Sequence, residues 1–262
     1  MSSPQNLKHQ FADFDVNKIH KGVNSMNEFK KKAITFSYDD GDTQDIRMIE
    51  IFNKYGLKGT FNLNSGLLGR EATLMREGRE VSHNSIKEAD IKYVYDGHEV
   101  AAHTVHHLTL PNYEDDVVIR EVEDDRIKLS EIVGYEVCGM AYSCGGKNND
   151  DRTAALIKNH TGIKYARALE TNGRFALQDN LYRFQGTVYH HGEWDRMFQL
   201  AEEFLKLDAK EPSIFYIWGH SFEFDIYPQR WQMFDEFCKM ISGKSDIFYG
   251  SNKEVLLSTD WK

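Results

Sequence analysis

Cysteine is scarce in this 262-residue chain, which contains only Cys138, Cys144 and Cys238. Three thiols cannot all pair within one chain, and none of them stands in a C-x-x-C pair of the kind that zinc ribbons and redox motifs use. The sequence therefore excludes a disulfide framework and a cysteine-based zinc ribbon, and it fits a reducing compartment.

Long apolar segments are missing as well. No run of about 18 apolar residues is present, so the sequence contains no candidate transmembrane helix. Residues 1–32 are polar and include no apolar stretch of the type that a signal peptide requires. From these absences we expect a soluble cytoplasmic protein that has no membrane partner.

Basic residues are outnumbered by acidic ones. The chain has 32 Lys and Arg against 41 Asp and Glu, which gives a formal net charge of -9. Such a charge repels a phosphate backbone, and no dense basic stripe counteracts it. The basic run at residues 30–32 is interpreted as a solvated approach to a strand. Nucleic acid is therefore not an expected partner.

Apolar runs of strand length alternate with helical patterns along most of the chain. Ile46, Ile49 and Phe52 recur at roughly helical spacing and are followed by Gly56, a typical helix stop. Four further segments are predicted helices, namely residues 113–133, 150–160, 194–207 and 229–242. The strand-like runs are residues 33–38, 59–63, 98–102, 137–142, 163–167, 213–218 and 246–249.

Repeated strand–helix units imply a parallel sheet. Units of this number, in a chain that is 40% hydrophobic, favour a closed sheet because closure leaves no exposed edge strand. We predict an α/β fold in which about seven parallel strands form a distorted (β/α) barrel. An open doubly wound sheet is the alternative. The chain is interpreted as one domain over residues 1–262, with residues 1–32 as a polar N-terminal extension.

Polar side chains with catalytic potential follow several of these strands. Asp39 and Asp40 follow the first strand, His103 follows the third, residues 142–146 follow the fourth and His220 follows the sixth. In a parallel barrel the carboxyl ends of the strands meet at one rim. We therefore expect these residues to surround a common site.

The carboxylates of Asp39 and Asp40 and the imidazoles of His103 and His107 form a candidate metal site. One carboxylate and two imidazoles leave coordination positions open for water and substrate, as a catalytic metal requires. His106 competes with His107 as the second imidazole, and the i, i+4 spacing favours His107 if the segment is helical. The donor set suits zinc first, with cobalt, nickel or manganese as alternatives.

Residues 34–41 read ITFSYDDG, residues 97–107 read GHEVAAHTVHH and residues 218–220 read WGH. In this order and at strand ends, the three segments resemble the motifs of the polysaccharide deacetylase family, the NodB-homology group of carbohydrate esterase family 4. The resemblance extends over residues 33–249. It implies a metal-dependent hydrolase that removes acetyl groups from N-acetylated or O-acetylated sugars or oligosaccharides.

The resemblance also implies roles for individual residues. Asp40, His103 and His107 would bind the metal, whereas Asp39 would act as the general base and His220 as the general acid. Amide hydrolysis needs these functions because the amide carbon is a poor electrophile and the amine is a poor leaving group.

The loop at residues 142–146 departs from the family pattern. A backbone N–H of this loop would help to hold the oxyanion. The family's third-motif arginine, which orients the base, aligns here with Ala141, and Cys144 stands in place of a tyrosine. Either Arg167 at the next strand end takes over the contact to the base, or Asp39 is held differently.

Several side chains near the rim are candidates for substrate contact, although ordinary packing in the core is the competing interpretation. We predict substrate or oxyanion contacts from Tyr142, Cys144, Trp194 and Trp218. Phe222 and Tyr227 are further aromatic candidates.

Two groups near the last motif have open roles. Glu223 and Asp225 either hydrogen-bond the imidazole of His220 or are ordinary loop acids. The family's fourth motif is not recognisable, and His190 and His191 occupy its region without an assigned role.

Other functions are compatible with parts of the pattern. A metal-dependent amidohydrolase that acts on a small non-sugar amide would use the same groups, and a cytoplasmic enzyme would meet such substrates. An inactive carbohydrate-binding homologue is a third reading, because the third-motif arginine is missing. A non-haem iron oxygenase is disfavoured, because its first histidine and its acid are usually near neighbours in a β-rich fold.

Overall fold

The computed structural model describes residues 30–262. The predicted N-terminal extension, residues 1–32, lies outside the described residues except for its last three, and Lys32 already begins the first strand. The prediction of one domain over residues 1–262 stays a prediction.

Strands and helices alternate through the described residues. The strands are β1 (Lys32–Asp39), β2 (Gly59–Leu63), β3 (Thr73–Arg76), β4 (Arg79–Ser82), β5 (Glu99–Ala102), β6 (Gly139–Ala141), β7 (Tyr165–Thr171), β8 (Phe184–Gly186), β9 (Val188–Tyr189), β10 (Ser213–His220) and β11 (Ile247–Tyr249). The helices are α1 (Asp45–Tyr55), α2 (Glu88–Val94), α3 (Asp115–Val133), α4 (Asp151–His160), α5 (Trp194–Lys206), α6 (Glu223–Ile226), α7 (Gln229–Ile241) and α8 (Asn252–Leu257).

Nine of the strands form one sheet in which all the pairs are parallel. The order is β8-β7-β6-β5-β2-β1-β10-β9, and β11 pairs with the start of β1. The sheet curves into a nearly closed barrel surrounded by helices. The predicted distorted (β/α) barrel is confirmed, and the open doubly wound sheet is wrong.

The centre of the barrel explains why its strands were recognisable in the sequence. Every residue of β1 and of β2 is buried, as expected for a parallel sheet covered on both faces, and apolar residues such as Ile34, Phe36 and Phe61 alternate with buried polar ones. Helix α1 ends at Gly56, whose φ of 66° is the left-handed conformation that glycine adopts most easily. All seven predicted strands are confirmed, with ends that shift by up to four residues.

Four strands were not predicted from the sequence. The strands β3 and β4 form an antiparallel hairpin outside the barrel, and five of their eight residues are exposed. Strands β8 and β9 contain three and two residues. Segments this short or this exposed carry no hydrophobic period from which a strand can be read.

Among residues 30–262, no helix combines the length and the apolar character that a membrane span requires.

Candidate active site

The predicted site residues do meet at one rim of the barrel. Strand β1 ends at Asp39, which lies beside His220 of β10 and beside Asn62 of β2 in the register of the sheet. Asp40 follows with a φ of 77°, and its N–H donates to the carbonyl of Asn62 at 3.0 Å. The turn aims the side chain of Asp40 toward the histidines that follow β5.

Asp40, His103 and His107 form a compact group of potential metal ligands. Asp40 Oδ1 lies 3.6 Å from His103 Nε2 and 3.4 Å from His107 Nε2. The two imidazole rings are 5.0 Å apart between centroids. One donor atom from each of the three residues lies within 4.8 Å of the other two, so the set fits a single metal ion.

The segment that carries the two imidazoles is not helical. It forms a turn in which Thr104 and His107 have left-handed φ values of 66° and 57°. The helical spacing that favoured His107 over His106 therefore does not exist. His107 nevertheless faces Asp40, whereas His106 Nδ1 lies 2.6 Å from Glu121 Oε1.

The tautomer of His103 follows from its neighbours. His103 Nδ1 lies 2.8 Å from the carbonyl oxygen of Ala141, which can only accept a hydrogen bond. Nδ1 therefore carries the proton, and the lone pair of Nε2 points toward Asp40. An imidazole oriented by a backbone carbonyl in this way is typical of metal-binding histidines. Ala141, the residue aligned with the family's arginine, thus orients His103 through its backbone carbonyl.

Asp39 is held by a buried cation. Arg167 Nη2 donates to Asp39 Oδ2 at 2.5 Å, and Asn62 Nδ2 donates to Asp39 Oδ1 at 2.8 Å. The side chain of Arg167 is 1% exposed, and its guanidinium carbon lies 4.2 Å from the centroid of the Trp218 ring. Of the two sequence alternatives, the contact from Arg167 is the one that the structure contains.

His220 faces Oδ2 of Asp40, whereas His103 and His107 face Oδ1. Its Nε2 is 3.9 Å from Asp40 Oδ2, and its Nδ1 is 3.4 Å from Glu223 Oε1. Burial alone would lower the pKa of His220, but the Glu223 carboxylate and the charges of Asp40 and Asp39 outweigh burial and raise this pKa to about 9.

Glu223 is the partner of His220, and Asp225 is not. Glu223 also accepts the backbone N–H of His220 at 3.1 Å and the hydroxyl of Tyr189. Although burial opposes ionisation, the charge of His220 holds the pKa of Glu223 well below its usual range. Asp225 instead accepts hydrogen bonds from Gln44 and Trp231.

His83 is a site residue that sequence reasoning missed. It follows β4, is 8% exposed, and places Nε2 3.2 Å from Asp40 Oδ2. Arg70 Nη2 lies 3.0 Å from His83 Nδ1, and because a guanidinium can only donate, Nδ1 accepts. The proton therefore resides on Nε2 and is donated to Asp40. No motif marks His83, so only the folded hairpin reveals it.

Asp42 lies next to this contact. Its Oδ1 is 3.4 Å from His83 Nε2, which makes Asp40, Asp42 and His83 a second group of potential metal ligands. The proton on His83 Nε2 occupies the lone-pair position that a metal would need, so this group is a hydrogen-bond network. Burial, reinforced by the charge of Asp40, raises the pKa of Asp42.

A pocket of about 550 Å³ opens above the candidate metal ligands. It includes Tyr142, Cys144 and Trp218 of the predicted substrate set, and also Phe222. Cys144 Sγ donates to the carbonyl of His107 at 3.1 Å, so it fixes the turn that carries this imidazole. A cavity of about 610 Å³ at residues 30–32 has no histidine in its lining.

Trp194 and the two histidines before it do not line this pocket. Trp194 begins α5 and packs 5.6 Å from the rings of His190 and Phe224. His190 is buried with Nε2 3.2 Å from Glu223 Oε2, and His191 Nε2 lies 2.9 Å from a carboxylate oxygen of Glu77. The prediction of a substrate contact from Trp194 thus lacks support in the geometry. Tyr227 is likewise outside the lining and packs against Phe222.

Comparison with known proteins gives a family match and several structural likenesses. The profile of the polysaccharide deacetylase family matches residues 26–166, a stretch that includes Asp39, Asp40, His103 and His107. A comparison with curated proteins found no match.

Solved structures share the fold at low sequence identity. The CE4 domain of a multidomain xylanase from the hindgut metagenome of Trinervitermes trinervoides is 15% identical, with a TM-score of 0.52 over 86% of this chain and 90% of that one. A family 4 carbohydrate esterase from Streptomyces lividans, in complex with acetate, is 10% identical, with a TM-score of 0.52 over 84% of this chain and 92% of that one.

Two Bacillus structures complete the comparison. A CE4 family pseudoenzyme from Bacillus anthracis is 15% identical, with a TM-score of 0.52 over 86% of this chain and 66% of that one. A polysaccharide deacetylase from Bacillus cereus is 19% identical, with a TM-score of 0.46, and the match covers 57% of this chain and 44% of that one. The three likenesses with a TM-score of 0.52 support the fold, and the profile, which matches more than half of the sequence, establishes the family. The chain belongs to the polysaccharide deacetylase family, the NodB-homology group of carbohydrate esterase family 4.

Proposed function

We propose that this protein is a metal-dependent deacetylase that hydrolyses the acetyl amide of an N-acetylated sugar or short oligosaccharide, with O-acetyl sugars as the related ester substrates. One observation carries the proposal. Asp40, His103 and His107 converge on one point, and Asp39 and His220 flank that point at the same rim.

Asp40, His103 and His107 would hold the metal. The donor set, one carboxylate oxygen and two imidazole nitrogens, suits zinc first, with cobalt, nickel or manganese as alternatives. When bound, such an ion polarises the acetyl carbonyl and lowers the pKa of a bound water toward about 7. The lone pair of His103 Nε2 is already aimed at Asp40, so this ligand needs no reorientation.

Asp39 would accept the proton of the attacking water. Arg167 and Asn62 each engage one of its oxygens, but a carboxylate has about four lone-pair positions, so acceptor capacity remains. The two contacts fix the orientation of the carboxylate, which keeps its free lone pairs near the position of the water. Arg167 thereby supplies the orientation that the family's third-motif arginine provides.

His220 would donate a proton to the departing nitrogen. The carboxylate of Glu223 raises the pKa of His220 and so favours the charged imidazole, which is the state that a general acid requires. Glu223 binds both the ring and the backbone N–H of His220, so the ring is held facing Asp40. Asp39 and His220 thus form a base and an acid on neighbouring strands.

The volume and the lining of the pocket indicate what size of substrate it can hold. A volume of about 550 Å³ lies within the range of small-ligand sites, so the pocket suits one or two sugar rings more than a long polymer. The rings of Tyr142, Trp218 and Phe222 offer flat apolar faces of the kind that stack on sugars.

A small non-sugar amide is the second candidate substrate, and the same compact pocket favours it. An inactive carbohydrate-binding homologue is opposed by the complete set of metal-ligand, base and acid side chains. The fold itself does not separate these functions, because the structural neighbours include a pseudoenzyme as well as an esterase.

Acetate release by zinc-reconstituted protein tests the proposal. The substrates are N-acetylglucosamine oligomers and O-acetylated sugars, and Asp39→Asn is measured alongside as the control. Release that disappears in Asp39→Asn is the expected result. Stoichiometric zinc binding without release from any sugar would favour the small-amide reading or a binding protein.

A further inference from the structure

Two arginines line the pocket, Arg76 from the β3–β4 hairpin and Arg70 from the segment before it. Leu74 and Arg76 are two residues apart on β3, so their side chains leave the same face of the strand. Both line the pocket, as does Arg70 just before the hairpin. Leu74 packs with Val81 and Phe222, which fixes the hairpin above the rim.

Neither guanidinium makes a direct ion pair with an acid in the part of the chain that the structure describes, although the charge of Arg70 acts on Asp42 from a longer distance. Arg76 makes no ion pair there, and its guanidinium carbon lies 5.9 Å from the centroid of the Phe222 ring. Arg70 donates one N–H to His83 Nδ1, and the guanidinium has five N–H donors in total. The remaining donors of both groups are available to a ligand.

This arrangement is unfavourable for the free protein. Arg76 lies directly opposite Arg79 in the hairpin, and like charges at such positions destabilise a strand pair. The chain as a whole has an excess of acidic residues, with a net charge of -9. Six other arginines of the described residues have carboxylate partners, namely Arg120, Arg126, Arg152, Arg167, Arg183 and Arg196, whereas Arg47, Arg79 and Arg230 lie against aromatic rings.

The ring of Phe222 lies between the guanidinium of Arg76 and the imidazoles of His220 and His83. This ring lies 5.3 Å from the ring of His220 and 5.1 Å from the ring of His83, between centroids. The guanidinium of Arg76 therefore lies one aromatic ring beyond the candidate acid. A sugar that places its acetyl group near Asp40 and its ring near Phe222 would direct its other substituents toward Arg76.

We propose that the pocket selects acetylated sugars that carry an anionic substituent, a carboxylate, phosphate or sulfate, and that Arg76 and Arg70 bind this group. Guanidinium groups suit planar or tetrahedral oxyanions because their paired N–H groups form two parallel hydrogen bonds. The identity of the acetylated sugar rests on the proposed function, whereas the recognition of the anion rests on the hairpin.

Binding and turnover together test this inference. The probes are N-acetylglucosamine, its 6-phosphate and 6-sulfate, and N-acetylmuramic acid, which carries a carboxylate. Dissociation constants are measured by calorimetry and kcat/KM by acetate release, at low and high salt. We expect at least one anionic probe to bind about tenfold more tightly than the neutral sugar, with an advantage that shrinks as salt rises.

Two variants identify the residue responsible. Arg76→Gln should reduce the ratio of anionic to neutral affinity to near one, and Arg76→Lys should restore part of it. Arg79→Gln is the matched control, because Arg79 faces Arg76 across the hairpin but stacks 5.0 Å from the ring of Tyr227, outside the pocket. It should keep the wild-type ratio.

The outcomes separate this inference from the proposed function. If neutral and anionic sugars bind with equal affinity and both release acetate, anion selection is wrong and the proposed deacetylase function stands. Tighter binding of an anionic probe that Arg76→Gln abolishes would support anion selection even if no probe were hydrolysed. The comparison of phosphate, sulfate and carboxylate probes names the group that the arginines bind.

Discussion

Arg167 on β7 donates to Asp39 on β1 at 2.5 Å, and both side chains are buried. These residues are 128 positions apart in the sequence, and β6, β5 and β2 lie between their strands in the sheet. The arginine thus reaches across the rim of the barrel to the candidate base. The family's third-motif arginine aligns with Ala141 at the end of β6, and Arg167 lies beside Ala141 in the register of the sheet, so the contact to Asp39 is made from the neighbouring strand.

Arg167→Gln should lower both activity and stability. It leaves the carboxylate of Asp39 buried without a cation, a change that costs about 3–5 kcal/mol in other proteins. We expect a kcat loss of about 100-fold or more, since the base loses its orientation. Acetate release and urea unfolding measure the two effects. Adding Asp39→Asn should recover part of the stability and none of the activity, and a single variant with wild-type stability would contradict this account.

Asp39→Asn and His103→Ala should separate the base from the metal ligands. Asp39→Asn should keep the metal and lose turnover by about 10²–10⁴-fold, because only proton transfer is removed. His103→Ala should lose the metal as well. Metal content after dialysis, by elemental analysis, gives the readout. Equal metal loss in both variants would refute the division of roles.

His220→Ala should affect amides more than activated esters. An amine needs a proton in order to leave, whereas a good leaving group such as a nitrophenolate does not. We expect kcat/KM to fall strongly for an N-acetyl sugar and only slightly for 4-nitrophenyl acetate. An equal loss of kcat/KM for both substrates would indicate that His220 positions the substrate and does not act as the acid.

Glu223→Gln should shift the titration of His220 to lower pH. The Glu223 carboxylate stabilises the imidazolium, so its removal lowers the pKa of His220 from about 9 toward the ordinary value of about 6.5. NMR titration of the metal-free protein follows the ring directly. In the loaded enzyme the alkaline limb of kcat/KM should move to lower pH, because the acid loses its proton earlier. An unchanged titration would show that Glu223 does not set this charge.

His83→Phe should weaken metal binding without removing a ligand. Its Nε2–H fixes Asp40 Oδ2, so that Oδ1 faces His103 and His107. Loss of such a supporting hydrogen bond typically costs about 10–100-fold in metal affinity. Competition with a chromophoric chelator measures the affinity. His83→Gln places an amide N–H near the same position and should restore part of it; equal affinities of wild type and His83→Phe would contradict the role.

The barrel could be predicted from the sequence because strand-length segments alternate with helical patterns along the chain, and the structure has the same alternation. The sequence motifs also named Asp40, His103 and His107 as candidate metal ligands, and the structure brings one donor atom of each within 4.8 Å of the others, while their binding of a metal stays a prediction. The turn at His103–His107 was misread, since its left-handed residues Thr104 and His107 leave no periodic signal.

Other features could not be derived from local patterns. His83 belongs to an exposed hairpin whose residues mix charge and apolar character, so neither the hairpin nor its approach to Asp40 has a sequence signature. The burial of Trp194 depends on the packing of α5 against Phe224, which is a property of tertiary contacts.

The pairing of β1 with β10 fixes the backbone positions of two candidate catalytic residues. Asp39 and His220 are partners in one parallel ladder, so the spacing between adjacent strands, about 4.8 Å, sets the distance between the backbones of the candidate base and the candidate acid. Loops, hairpins and pocket walls can then change in length and composition without altering that separation. A different hairpin at residues 70–83 would change the wall of the pocket without changing that spacing, so grafting one is a route to a different substrate preference, provided that the contact of His83 to Asp40 is kept.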